Sequence, residues 1–326
     1  MTSQRPDRAA ARTPRAVART SAVLAGLGAA LASAMGCVAL RPYAEVRRAL
    51  PAADVLEIDG RSVHVEQRGT GAPVLLLHGF GESTYAWRKI APQLAERYRT
   101  IAIDLYGFGY TERPKEAEPY SLDGQLRLIT SVLDALGVPA AHVIGHSYGG
   151  ALALHLAARA PERVRSLVLL DNAAPTYPDS DKGLILGRSR TFARLAKGLA
   201  LRPGPMRRNL EKAYFDDAQA TPEAVGAYLD RLRIEGFLDA YKGLSRTPRV
   251  PRPPLLYSDV AQPALLLWGA EDVTVPIEKG RRAAREMPHA ELVVIERSGH
   301  SPMEERPDEV LAAVLPFLAR QDAPPR

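Results

Sequence analysis

Cysteine is almost absent from this 326-residue sequence, which contains a single one, Cys37. One cysteine excludes an intrachain disulfide, and no group of cysteine and histidine residues has the spacing of a zinc site. The sequence therefore predicts neither a metal nor another cofactor. Apolar residues make up 46% of the chain and charged residues 25%, which are the proportions of a globular protein.

Net charge is also absent from most of the chain. The formal net charge is +6, and residues 1–50 alone contain eight arginines against two acidic residues. The whole excess of positive charge therefore lies in the N-terminal segment, and the rest of the chain is neutral. A basic segment confined to one end indicates targeting, so we expect no nucleic-acid partner.

The basic segment precedes an uncharged, apolar run at residues 21–40, an order typical of a signal sequence or a signal-anchor helix. As a helix the run spans about 30 Å, the thickness of a bilayer core. Four fates remain open: an uncleaved transmembrane anchor, lipidation at Cys37 after cleavage at a lipobox-like sequence, cleavage after Ala34 with release, or a buried helix. We expect an exported, extracytoplasmic protein that is membrane-anchored or a lipoprotein rather than freely secreted, with residues 41–52 as a linker.

Short apolar runs alternate with helical patterns in the body of the chain. This alternation predicts a mostly parallel, doubly wound sheet with helices on both faces. The two parts of this α/β core are residues 51–172 and 261–326. Between them, residues 173–260 show no clear buried strand and are interpreted as a helical cap or lid, the alternative being a surface excursion without function.

The predicted strands begin with a hairpin joined at Asp59 and Gly60. They are residues 55–58, 62–67, 74–77, 100–104, 164–170, 264–268 and 290–295, together with a strand that begins at Ala141. The predicted helices are residues 87–97, 121–136, 151–159, 189–201, 207–214, 222–233 and 308–320. Active sites of parallel sheets lie beyond the carboxyl ends of the strands, so the loops at that edge carry the candidate residues.

The strand that begins at Ala141 runs into a sharp turn of the pattern G-x-S-x-G and then into a helix. This context is what a nucleophile elbow requires, whereas the bare pattern also occurs in flexible loops. A Cβ at Gly145 or Gly149 would clash in such a tight turn. Ser147 is expected to have a strained backbone that holds its hydroxyl clear of the sheet.

A serine hydroxyl needs a neighbouring base to act as a nucleophile, and an imidazole held by a carboxylate supplies one. His300 is the only histidine that follows a late strand into a glycine-containing loop. Asp272 follows the strand before it, with Asp171 and Glu271 as rival acids. The order Ser147, Asp272, His300 is the serine–acid–histidine order expected with such an elbow.

The first buried strand of the core ends in the glycine-rich sequence His78-Gly79-Phe80-Gly81. Such a loop brings backbone N–H groups close to a substrate, so we interpret the N–H groups of Phe80 and Tyr148 as donors to an oxyanion. For His78, bracing of the loop is favoured over a role as metal ligand or base. Asp104, after the next strand, is expected to order its own loop.

Together these motifs resemble the α/β-hydrolase superfamily, in the branch with a helical cap after the sixth strand. The resemblance runs from about residue 55 to residue 318. It implies the triad above and a choice of activities: esterases, lipases, carbon–carbon bond hydrolases of ring-cleavage products, cofactor-free haloperoxidases, epoxide hydrolases and haloalkane dehalogenases. The last two use an aspartate where this chain has Ser147 and are disfavoured.

The sequence thus predicts a serine hydrolase that cleaves a small-molecule carboxylic ester through an acyl-enzyme. A carbon–carbon bond hydrolase and a haloperoxidase-like enzyme are the alternatives among enzymes. A ligand-binding protein that retains the triad is the alternative of another class. Membrane association is expected through residues 21–40 or a lipidated Cys37.

Overall fold

The computed structural model describes residues 38–172, 201–246 and 254–323. Its strands are β1 (Val55–Ile58), β2 (Arg61–Arg68), β3 (Ala72–Leu77), β4 (Tyr98–Ile103), β5 (Ala141–His146), β6 (Val164–Leu170), β7 (Ala264–Gly269) and β8 (Ala290–Ile295). They form one sheet in the order β1-β2-β4-β3-β5-β6-β7-β8. The pairs β1–β2 and β2–β4 are antiparallel and all other pairs are parallel, which confirms the predicted fold class.

The α-helices of the described residues cover both faces of this sheet and its carboxyl edge. They are α1 (Tyr43–Ala49), α2 (Ala91–Leu94), α3 (Leu122–Ala135), α4 (Ser147–Arg159), α5 (Pro203–Ala213), α6 (Pro222–Leu232), α7 (Phe237–Arg246), α8 (Ile277–Glu286), α9 (Pro302–Glu305) and α10 (Pro307–Asp322). Helix α3 begins where the hydroxyl of Ser121 accepts the N–H of Gly124 at 3.0 Å. Thr221 caps α6 in the same way, with Pro222 in its first turn.

The core is continuous on each side of the sheet because alternate residues of a strand point to opposite faces. Leu75 and Leu77 of β3 pack in one apolar cluster, and Val74 and Leu76 pack in the other. All four side chains are fully buried. A strand that is buried on both faces needs an unbroken run of apolar residues, which explains the apolar sequence of β3.

Two predicted segments are wrong. Residues 41–52, expected to be a linker, contain α1, whose Val46 is buried, and the preceding Arg41 pairs through its backbone with Arg233 and Glu235. Residues 87–97, expected to be one helix, contain only a 3-10 turn ending at Trp87 and the short α2. Pro92 lies in the first turn of α2 and disfavours helical backbone before it, so the buried apolar face forms without a continuous helix.

The insert contributes three helices to the described residues. Helices α5 and α6 lie close to the predicted ranges, while α7 was not predicted. The first two helices pack against each other through their own apolar cluster, which includes Met206, Leu210 and Tyr228. The predicted helix at residues 189–201 lies outside the described residues except for its last position.

The apolar run at residues 21–40 lies almost wholly outside the described residues, and Cys37 lies outside them as well. Among the helices that the structure does describe, none combines the length and apolar character needed to cross a membrane. Export, anchoring and lipidation therefore stay predictions.

The central strands account for a measurable share of the stability. Leu267 of β7 is fully buried, so Leu267→Ala should lower the free energy of unfolding by roughly 2–5 kcal/mol through lost burial and a residual cavity. Leu256, which is 57% exposed, provides the matched control, and Leu256→Ala should change stability by less than about 0.5 kcal/mol. Urea unfolding followed by circular dichroism measures both. Equal losses in the two variants would contradict the described core.

Candidate active site

The nucleophile elbow joins β5 to α4 without an intervening loop. Ser147 has a φ of 47°, a left-handed backbone conformation that is costly for a residue other than glycine. A Cβ at Gly145 would lie 2.7 Å from the carbonyl oxygen of Gly149, and a Cβ at Gly149 would lie 2.0 Å from that of Leu77. The start of α4 therefore lies directly against β5 and β3, and both glycines are required for this close approach.

The three residues predicted to form a triad lie in hydrogen-bonding contact. Nε2 of His300 is 3.0 Å from Oγ of Ser147, and Nδ1 of His300 is 2.7 Å from Oδ2 of Asp272. Asp272 lies in the loop after β7 and His300 in the loop after β8. Because a carboxylate only accepts, Nδ1 of His300 carries a proton and Nε2 is left to accept the serine proton.

Asp272 is held as a carboxylate. Its Oδ1 accepts the N–H groups of Thr274 at 2.7 Å and Val275 at 2.9 Å. Burial by itself would raise the pKa of Asp272, but the hydrogen bond and charge of His300, together with these two N–H groups, lower it. The acid of the site is therefore ionised at neutral pH and can stabilise a positive imidazolium.

The rival acid Asp171 lies beside Asp272 but, unlike Asp272, is favoured in its protonated form. Burial, followed by the negative charge of Asp272, raises the pKa of Asp171 well above its usual range. Its Oδ1 accepts the N–H of Gly269 at 3.0 Å, and its backbone φ is 41°. Glu271, the other rival, accepts the N–H of Ser298 at 3.0 Å and contributes to the loop instead.

Asp171, Asp272 and His300 also have potential metal-ligand atoms within 4.8 Å of one another. Asp272 and His300 use those atoms for their mutual hydrogen bond, and His300 also contacts Ser147. The neutral state of Asp171 makes it a poor ligand for a cation. This set of donors therefore suits proton transfer better than metal coordination.

The glycine-rich loop after β3 lies opposite the elbow. The phenyl ring of Phe80 is 5.2 Å from that of Phe108 and 6.2 Å from that of Tyr148. The N–H of Tyr148 belongs to the first turn of α4, where the helix dipole favours a negative charge. The assignment of the N–H groups of Phe80 and Tyr148 as oxyanion donors stays a prediction.

His78 braces the glycine-rich loop. Its Nδ1 is 2.8 Å from the carbonyl oxygen of Gly79, and its Nε2 accepts the N–H of Leu105 at 3.1 Å. Burial lowers the pKa of His78, so the ring is neutral with its proton on Nδ1. Asp104 orders the next loop by accepting the N–H groups of Thr84 at 2.7 Å and Tyr110 at 2.8 Å, and it also contacts His64.

A cavity of about 780 Å³ opens above Ser147 and His300. The wall that the insert contributes is mainly apolar and includes Met206, Leu210, Leu232, Phe237, Tyr241 and Leu244, with Asn209 and Lys212 as its amide and cationic members. Among the described residues that line the cavity, Lys212 is the one lysine or arginine, and its side chain is exposed. The site therefore offers an apolar chamber with the reacting groups in its wall, as small-molecule sites commonly do.

The sequence did not reveal two buried glutamates that fasten the cap to the loop of His300. Glu305 accepts the N–H groups of Gly299 at 2.9 Å and Phe215 at 2.6 Å. Glu304 accepts hydrogen bonds from Arg88 at 2.5 Å, from the hydroxyl of Tyr214 at 3.1 Å, and from Tyr228. No local pattern marks these residues, because their partners lie far away in the chain.

Replacing Asp272 or Asp171 by asparagine should have very different effects on kcat. Asp272→Asn removes the charge that orients His300 and should lower kcat by about 10⁴-fold. Asp171→Asn copies the neutral state of Asp171 and should change kcat by less than about tenfold, a loss smaller than that of one oxyanion donor. Steady-state kinetics on the preferred ester measures both. If Asp171→Asn were the more damaging change, Asp171 would be the acid of the site.

The raised pKa of Asp171 also predicts a pH-dependent stability difference. A group whose pKa is raised by folding stabilises the protein below its unfolded pKa, and this stability is lost as pH rises through the folded pKa. The asparagine in Asp171→Asn cannot ionise, so this variant does not lose stability in that way. The melting temperature of the variant minus that of the native protein should therefore increase between pH 5 and pH 9. A constant difference across this range would contradict the neutral state of Asp171.

Comparison with known proteins agrees with this geometry. The sequence matches the family model of the α/β hydrolase fold over residues 72–307. A 2-hydroxymuconate semialdehyde hydrolase of Pseudomonas sp. (strain CF600) is 32% identical over 275 residues, covering 81% of this chain and 93% of that protein.

Solved structures of other hydrolases are also similar to this chain. A meta-cleavage product hydrolase from Pseudomonas fluorescens IP01 has a TM-score of 0.69 and 29% identity, covering 82% of this chain and 98% of the other. A bacterial membrane phospholipase A has a TM-score of 0.67 and 25% identity, covering 95% of this chain and all of the other. By its family match, its sheet and its elbow, this chain belongs to the α/β-hydrolase superfamily.

Proposed function

We propose that this hydrolase cleaves carboxylic esters with an apolar acyl group, through an acyl-enzyme on Ser147. The observation that carries the proposal is the pair of contacts of His300, 3.0 Å to Ser147 and 2.7 Å to Asp272, at the floor of an apolar cavity. A hydroxyl, a base and an orienting acid in this arrangement are what nucleophilic attack on a carbonyl requires.

In the proposed reaction, His300 takes the proton of Ser147 as the hydroxyl oxygen attacks the ester carbonyl. The resulting oxyanion is stabilised by the N–H groups of Phe80 and Tyr148. His300 then gives the proton to the leaving alcohol, and an acyl-enzyme remains. In the second half, His300 activates water, which attacks the acyl carbon and releases the acid. Each donor to the oxyanion contributes about 10²–10³-fold to the rate.

The cavity supports the choice of an apolar acyl group. Most of the described residues from the insert that line the cavity are apolar or aromatic, and burying an acyl chain against them is favourable by about 0.8 kcal/mol per methylene. The similarity to a bacterial membrane phospholipase A also supports this choice.

Hydrolysis of a carbon–carbon bond is the second candidate, and the curated relatives favour it. Several of them are named as hydrolases of 2-hydroxymuconate semialdehyde or of a 2-hydroxy-6-oxo-dienoate. In this reaction the same serine would attack the aldehyde or ketone carbonyl, and the adjacent carbon–carbon bond would break. The carbon fragment that leaves would take the proton held by His300, and water would then hydrolyse the acyl-enzyme. Those substrates carry a carboxylate, for which the described cavity wall offers the exposed Lys212 as its one lysine or arginine.

A substrate comparison separates the two candidates. Purified protein is assayed with p-nitrophenyl esters from acetate to palmitate and, separately, with 2-hydroxymuconate semialdehyde. We expect the highest kcat/KM on an ester of intermediate or long chain and turnover lost in Ser147→Ala. A higher kcat/KM on the ring-cleavage product would overturn the ester assignment in favour of the second candidate.

The same assay tests the two remaining alternatives. A fluorophosphonate should label Ser147 stoichiometrically and block turnover, and Ser147→Ala should not be labelled. Labelling without turnover of any ester or ring-cleavage product would indicate a ligand-binding protein. Peroxide-dependent halogenation in place of hydrolysis would indicate a haloperoxidase-like enzyme.

We also propose that the protein is exported and attached to a membrane through residues 21–40 or a lipidated Cys37. The basic flank and uncharged apolar run support this proposal. After expression of the full chain in a bacterial host, the protein should sediment with membranes and be accessible to protease from the outside. Cys37→Ser should release it only if a lipid is the anchor. Recovery of the full-length chain in the cytosol would overturn the proposal.

A further inference from the structure

A second histidine–carboxylate pair lies beneath the reacting groups. His146 is the residue immediately before the nucleophile, and its ring is 4.9 Å from the ring of His300. Nδ1 of His146 is 2.9 Å from Oε2 of Glu82, and its Nε2 is 2.6 Å from the carbonyl oxygen of His300. The proposed reaction uses neither His146 nor Glu82.

Both ring nitrogens of His146 therefore face oxygen atoms, a backbone carbonyl and a carboxylate, and the carboxylate only accepts because the pKa of Glu82 is lowered to about 2. A neutral imidazole has one N–H, so it could donate to only one of these two oxygens. The arrangement is satisfied when His146 carries both protons and is an imidazolium. Glu82 supplies the compensating negative charge, which a buried cation requires.

The electrostatics of the pair agree with this geometry. Burial by itself would lower the pKa of His146, but the charge and hydrogen bond of Glu82 and the carbonyl of His300 raise it above its usual range. Burial by itself would raise the pKa of Glu82, whereas His146 and the N–H of Gly79 bring it down to about 2. Both shifts favour the ionised pair.

The pair connects three separate parts of the active site. Oε2 of Glu82 also accepts the N–H of Gly79 at 2.7 Å, which fixes the loop that carries Phe80. His146 belongs to the strand that presents Ser147, and its Nε2–H holds the backbone of His300. A Cβ at Gly79 would lie 2.7 Å from Nδ1 of His146, so the loop packs directly on the pair.

We propose that Glu82 and the doubly protonated His146 are positioning residues, which set the distance of the oxyanion loop and of His300 from Ser147. The inference rests on the proposed serine mechanism. Neither residue exchanges a proton with substrate. Glu82 lies at the floor of the cavity, whereas the apolar wall that would hold an acyl group is formed by other residues, so loss of the pair should lower kcat much more than it raises KM.

The protonation of His146 gives this role a pH dependence. The groups that face its ring are Glu82 and His78 on the glycine-rich loop side, Asp272 from the loop after β7, and His300 from the loop after β8. Because folding raises the pKa of His146, the contacts of the pair are present below that pKa and are lost as pH rises through it. Turnover should therefore fall on the alkaline side, and removal of the Glu82 charge should move that fall to lower pH.

The test uses Glu82→Gln, which keeps the shape of Glu82 and removes its charge, with Glu66→Gln as the matched control. Glu66 accepts a hydrogen bond from Thr84 at 2.7 Å and contacts none of the reacting groups. We expect Glu82→Gln to lower kcat by on the order of 10²-fold with KM changed by less than about threefold, and the control to retain native kinetics. The alkaline fall in kcat should occur at lower pH in Glu82→Gln.

Imidazole nitrogen-15 NMR of the native protein supplies a readout that needs no variant and no substrate. At pH 7.5 both ring nitrogens of His146 should have imidazolium shifts, assigned by their disappearance in His146→Gln. A neutral ring at that pH would overturn the inference, even if Glu82→Gln lowered activity. If instead the native protein turned over no ester or ring-cleavage product while His146 proved to be doubly protonated, the serine mechanism would be the part that failed.

Discussion

The active site depends on the close backbone approach of α4 to the middle of the sheet. Because Gly149 has no side chain, the first turn of α4 can lie against the carbonyl oxygen of Leu77 at the end of β3. This approach holds Ser147 in its left-handed conformation at the carboxyl edge. The loops after β3, β7 and β8 end at the same edge, so the acid, the base and the glycine-rich loop meet there without long excursions of the chain.

Local patterns made most of the fold predictable. Strands β3 to β7 are short, largely apolar runs because both faces of the parallel sheet are covered, whereas the edge strand β8 is only partly buried. The caps at Ser121 and Thr221 mark real helix starts. The geometry of Ser147, Asp272 and His300 followed from chain order and strand position. The helix α1 was not predicted because it has a single buried residue, Val46, and therefore no repeating apolar pattern in its sequence.

The parts that could not be predicted are the contacts between distant segments. Glu82 lies 64 residues before His146 in the sequence, and Glu304 lies 90 residues after Tyr214. His146 was recognised as part of the elbow, yet its role depends on a carbonyl oxygen 154 residues away. Such partners are set by how the loops pack. A glutamate or histidine in a loop gives no indication in the sequence of whether it will be paired and buried.

The buried charged groups around the site are compensated by their neighbours. Glu82 balances His146, and Asp171 stays neutral because a second carboxylate beside Asp272 would add an unpaired buried charge. In the proposed mechanism, Asp272 is thus the carboxylate in contact with the imidazolium that forms on His300. The oxyanion of that mechanism would be stabilised by the predicted backbone N–H donors and by the N-terminus of α4. If Asp171 were ionised as well, two neighbouring carboxylates would face one imidazolium, and the second negative charge would be buried without a cationic partner of its own.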